Sequence, residues 1–299
     1  MPDLPPPVFA FPSTRTPWKP GAISRRSAAA HRAVMCSRGP RHAERILAAY
    51  PNRANSIEFQ SAGEVLCSGV WDCQLSVDGQ PLVPMSAWEE TCWFTDREVD
   101  YLELEMRFRG GVCIERSILL AKNDRFAYLA DAVIARKAGA IEYRGTVPLP
   151  AGVKLRQPAQ SREVVLTNGR ARALVLPLAL GEWRADPGCG ELECTAEALH
   201  LQQTAHGRAL LAPLWFDFDR RRSARPFTWR QLTVAENLAV VPNDVAVGYR
   251  VQVGDSQWLA YRALGRRGNR TLLSHNLSTE MLVGRFTRAG EVENLVEIE

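Results

Sequence analysis

Long apolar runs are missing from this chain: no segment approaches the ~20 consecutive apolar residues that a membrane-spanning helix requires. A helical membrane span is therefore not expected. Paired cysteines are missing too. The seven cysteines (Cys36, Cys67, Cys73, Cys92, Cys113, Cys189 and Cys194) are odd in number, scattered, and form no CxxC. They read as reduced thiols, several of them buried, which predicts a reducing compartment and a cytoplasmic location. Prolines interrupt the N-terminus where a signal peptide needs a continuous apolar stretch. Nucleophile elbows, P-loops and HExxH helices are also absent, so no common hydrolase, nucleotide or zincin motif marks a site.

After Ile57 there is no helical periodicity long enough to build a layer, and the two-residue period of strands takes its place. In Tyr101–Phe108 the side chains of Leu102, Leu104, Met106 and Phe108 point one way. Glu103, Glu105 and Arg107 point the other and are expected in water. Val245, Val247, Tyr249, Val251 and Val253 form a similar apolar face. Asp78-Gly79, Gly110-Gly111 and Asn168-Gly169 lie between strand-like runs and tolerate the positive φ of tight hairpin turns. With no crossover helices to join parallel strands, the fold class is all-β. Its form is a large antiparallel β-sandwich, or super-sandwich, over 56–299.

Ahead of it, residues 1–21 carry seven prolines and read as a flexible tail. Residues 22–55 read as a short basic helical segment. Gly39-Pro40 divides it into two short helices, the second with Ala43, Ile46, Leu47 and Tyr50 at helical spacing. Charge is uneven along the chain. Nine Lys and Arg against two acidic residues give 1–53 a net +7, whereas 54–299 hold 28 basic and 31 acidic residues, a net −3. A basic leader can bind nucleic acid or an anionic surface, or lie against its own body.

Arg116-Ser117-Ile118-Leu119-Leu120, Asp124-Arg125-Phe126, Leu129-Ala130-Asp131-Ala132-Val133 and the run Leu166–Leu176 together resemble the carboxy-terminal β-sandwich of heparinase II/III-like proteins. The resemblance implies a sandwich over roughly 56–299 and an association with carbohydrate. In those lyases a helical toroid precedes the sandwich and supplies most catalytic groups. Here only some 30 residues read as helical before the first strand, so the catalytic half is expected to be missing.

A lyase acting on acidic sugars needs a base, a neutraliser for the carboxylate and an acid for the leaving oxygen. The polar stretch 261–280 gathers residues of these types, with Tyr261, Arg270 and His275 as catalytic candidates and Asn269, Asn276 and Glu280 as ligand-binding ones. The same letters also describe a plain surface connection. Trp88 and Trp93 are candidates for a sugar platform, although five-residue spacing puts them on opposite faces of a regular strand. His200 and His206 lack a third ligand nearby, so no metal is expected, and no cofactor is implied. Asp217-Phe218-Asp219 reads as pairing with the arginines that follow it.

Three functions fit these observations. The first is a noncatalytic module associated with carbohydrate or another polyanion. The second is a lyase-like enzyme with its site near 261–280, and the third a scaffold recruited through its basic N-terminus. Exposed edge strands also leave room for a dimer.

Overall fold

The computed structural model describes residues 23–37, 44–186, 188, 190–273 and 275–299. The proline-rich tail lies outside them. Among the described residues the only helical element is a single 3-10 turn at Arg222–Ala224, and every strand pairing is antiparallel. No helix is long and apolar enough to cross a membrane among these residues.

Four sheets stack through three cores. The N-terminal sheet is a meander of Arg25–Ser27, Arg32–Cys36, Arg45–Ala49, Ser56–Ser61 and Glu64–Val70. Where the two helices were expected within 22–55 the described residues form strands and turns, while Gly39-Pro40 and Ala43 lie outside the described residues. Ile46, Ala48 and Tyr50 alternate onto a buried face, and the four-residue step from Ile46 to Tyr50 suits a strand as well as a helix. Isolated helices this short are marginal in water. Ser56–Ser61 instead offers Arg45–Ala49 a full ladder of backbone partners.

The large sheet is built around two long strands, Phe126–Pro148 and Ala198–Asp217. Val112–Ala121 pairs with the first half of Phe126–Pro148, and Asp72–Val77 with the second, the change falling at a register shift between Ile134 and Gly139. Ala198–Asp217 runs unbroken through Thr204–Gly207, between His200 and the second half of the strand. Asp78 and Gly79 both take positive φ in the hairpin they were expected to form.

One face of the large sheet packs Leu102, Leu104, Ile118 and Leu129 against Ile57 and Phe59 of the N-terminal sheet. The opposite face carries Tyr101, Leu119, Tyr128 and Trp215, which pack on Trp229, Val251, Trp258 and Val283. Those residues belong to the C-terminal sheet of Phe227–Leu232, Ala246–Val253, Ser256–Ala263, Met281–Phe286 and Val292–Ile298. Its outer face buries Leu259, Tyr261 and Leu282 against Leu272 and Leu277 of a small four-stranded sheet. The large sheet is thus covered on both sides. Its supposedly wet face is not wet at Glu103, which is only 8% exposed and held by Arg262 at 3.0 Å.

Candidate functional site

Of the residues expected to act together in 261–280, folding joins Tyr261 to Arg270 but buries both. Tyr261 and Arg270 are 2% and 1% exposed. The Arg270 Nη1 donates to the Tyr261 hydroxyl at 3.2 Å, and Glu236 stands 3.5 Å from the Arg270 Nε, so this pair closes the third core rather than facing solvent. His275 sits half-buried on a short strand opposite Leu272. Asn269 and Asn276 are exposed, and Asn276 accepts a hydrogen bond from Thr271 at 3.2 Å. Trp88 is buried, with its ring over the Arg116 guanidinium at 4.4 Å, while Trp93 is half-buried against the first core. Glu280 borders a cavity.

That cavity lies where the C-terminal sheet stops covering the large one. Cys113, Glu115 and Ile134 follow the alternation of the covered face: Cys113 is in register with Arg107 and Ile134, and Glu115 with Glu105. Beyond the C-terminal sheet they line two hollows of about 480 and 660 Å³. The hollows share Ile134, Ala135 and Arg136. The first is bordered by Glu115, Arg208, Leu264, Arg267 and Glu280, the second by Met85, Glu105, Arg107, Phe108 and Cys113.

A buried guanidinium organises the floor. Arg262 donates from Nη1 to Glu103 at 3.0 Å and from Nη2 to Glu115, and lies 3.0 Å from Glu280. Three carboxylates thus converge on one cation. Burial pushes the Glu115 carboxyl above its ordinary range; Arg262 pulls it back in part, and Glu103 and Glu280 add to the rise. Arg262 itself is held protonated: its burial is outweighed by Tyr101, Glu103, Glu115 and Glu280 together. On the rim, Arg136 and Arg208 are exposed and form no ion pair among the described residues. Guanidinium donors, carboxylate acceptors and the apolar surfaces of Met85, Phe108, Ile134 and Leu264 therefore alternate along one cleft. Sequence reading found Glu280 but missed Glu115, Arg136 and Arg208. The alternation of Val112–Ala121 marked Glu115 as outward-facing, but nothing local showed what lies above it.

Among the described residues, no three or more His, Cys, Asp or Glu side chains gather as a metal site would require. The Asp217 carboxylate takes Arg222 at 2.8 Å, and Asp219 accepts from the Arg221 and Arg222 amides at 2.9 and 3.0 Å, so this stretch is internally paired as expected.

No family model and no curated protein matches the chain. Solved structures do resemble it. Heparan sulfate lyase HepC from Pedobacter heparinus superposes at a TM-score of 0.56 with 13% identity, over 83% of this chain and 43% of that one. A mutant form of the same lyase reaches 0.58. A further structure described as a heparinase III gives 0.54 at 10% identity, over 86% of this chain and 43% of its own. The fold is the heparinase III β-sandwich. This heparinase-like sandwich spans less than half the length of the structures it matches, and at these identities the likeness is one of fold alone.

Proposed function

We propose that this chain is a noncatalytic, carbohydrate-associated β-sandwich module that holds a saccharide in the cleft beside Arg262. The alternation of guanidinium, carboxylate and apolar surface along that cleft carries the reading. Sugar hydroxyls both donate and accept, and the C–H face of a pyranose ring needs an apolar support. Arg136 and Arg208 supply free cations suited to an acidic sugar. The fold shared with proteins described as heparan sulfate lyases is consistent with such a ligand. The burial of Tyr261 and Arg270, and the engagement of Glu115 and Glu280 by Arg262, favour binding over turnover.

One observation favours an enzyme instead: Glu115 has a raised pKa and borders a cavity, as a general acid does. A glycan array, run beside an assay for the ultraviolet absorbance of unsaturated lyase products, separates the two readings. We expect binding to acidic oligosaccharides without absorbance. The Arg136→Gln/Arg208→Gln variant should bind roughly tenfold more weakly, from the loss of about 1.4 kcal/mol in charged hydrogen bonds. Product formation abolished by Glu115→Gln would replace the module with an enzyme, and an array with no bound glycan would end both readings.

A further inference from the structure

A second cavity, of about 500 Å³, lies elsewhere on the molecule and shares no lining residue with the cleft. Four separate segments build it. Ser61 and Ala62 come from the turn that closes the N-terminal sheet, and Arg170 and Arg172 from the hairpin of Val164–Asn168 and Ala171–Pro177. Arg125 comes from the turn before Phe126, and Phe218 to Arg221 from the exit of the long strand Ala198–Asp217. The hairpin tip is fastened in place: the Asn168 carboxamide donates to the Val65 carbonyl at 2.8 Å, and the Glu64 side chain packs close over Gly169. Phe218 is fixed by its amide, which donates to the Arg125 carbonyl at 2.9 Å.

Five guanidinium groups and a single carboxylate line this hollow. The carboxylate, Asp219, is already occupied by Arg125 at 3.4 Å and by two backbone amides. Arg125 is further held by Glu44 at 2.8 Å. Arg170, Arg172, Arg220 and Arg221 form no ion pair among the described residues. Arg172 donates from Nη2 to the Ser223 carbonyl at 3.3 Å, while its Nε is buried without any partner. Burial, with Arg156 and Arg220 nearby, lowers the Arg172 pKa. Cations brought together without counter-charges repel one another, and an anion placed among them relieves that repulsion.

We infer that this cavity is a binding site for a tetrahedral oxyanion, the phosphate or sulfate group of an ester or the free ion. A planar carboxylate presents its lone pairs within one plane, whereas a tetrahedral group presents oxygens in several directions at once. Arginines arriving from the hairpin, the Phe126 turn and the strand exit surround the hollow in a way that suits the second geometry. The site stands apart from the saccharide reading.

Calorimetric titration of the full chain at constant ionic strength tests it, with phenyl phosphate, phenyl sulfate and acetate as probes. The phosphate or the sulfate ester should bind saturably at one site, and acetate at least roughly tenfold more weakly. The tighter of the two esters identifies the source of the oxyanion. Arg220 and Arg221 are exposed, so the Arg220→Gln/Arg221→Gln variant keeps the fold and should lose roughly tenfold or more in affinity. Arg97→Gln, an exposed change outside the cavity, should leave affinity unchanged. Absence of saturable binding by both esters, acetate binding as tightly as they do, or equal weakening by Arg97→Gln would overturn the assignment.

Discussion

Arg116 and Asp131 are direct register partners on neighbouring antiparallel strands, joined by two parallel hydrogen bonds of 2.7 Å with neither side chain reaching solvent. The Trp71 and Trp88 rings lie 3.8 and 4.4 Å from the guanidinium. Its remaining Nη1 donates to the Asn55 carboxamide at 3.1 Å and the Trp71 carbonyl at 2.7 Å, and the Tyr143 hydroxyl donates to Asp131 at 2.6 Å. This network ties the exit of the N-terminal sheet to the centre of the large one. It also gives a physical meaning to Arg116 and Asp131 in the two runs that resemble the heparinase II/III-like sandwich: the two positions are one ion pair.

Breaking that pair leaves a charge buried alone. Asp131→Ala should therefore lower the unfolding free energy by about 3–5 kcal/mol, measured by urea denaturation. Asn55, Tyr143 and the Trp71 carbonyl also depend on the pair, so Arg116→Met/Asp131→Leu should recover only part of the loss. A single variant as stable as the parent would show that the network does not hold the sheets together.

Glu115 sets a pH dependence of definite sign. Its folded-state pKa lies above the ordinary 4.5, chiefly through burial, so its contribution to stability is complete below that value and is lost as pH rises through the folded pKa. The parent should therefore lose stability relative to Glu115→Gln over the interval just above pH 4.5, and the difference should be flat below it. Paired denaturation curves across acidic to neutral pH measure this. A parent that gains stability relative to Glu115→Gln as pH rises through that interval would contradict the burial of Glu115.

Cys113 lines the cleft, and its thiol pKa is pushed up to about 11 by burial together with Glu115 and Glu105, with Arg107 opposing them. Thiolate is the reactive form, so iodoacetamide should label Cys113 slowly at neutral pH and roughly tenfold faster per unit as pH rises towards that value. A bound saccharide should protect it. Mass spectrometry of the Cys113 peptide reads both effects, and fast labelling at neutral pH would contradict the anionic surroundings.

The sequence alone determined the all-β class, the hairpin at Asp78-Gly79 and the apolar faces of individual strands, because side-chain alternation and turn chemistry act over a few neighbouring residues. Which strands would share a sheet was decided by long-range pairing. Arg45–Ala49 is a strand because Ser56–Ser61 and Arg32–Cys36 flank it, although its local spacing also suits a helix. Glu103 and Glu115 carry the same outward signal in sequence, yet the C-terminal sheet covers Glu103 and stops where Glu115 lines the cleft. Tyr261 and Arg270 likewise read as a polar pair and became a core contact once the small sheet closed over them. Both cavities are assembled from segments far apart in the chain, and no local pattern carries the distance between them.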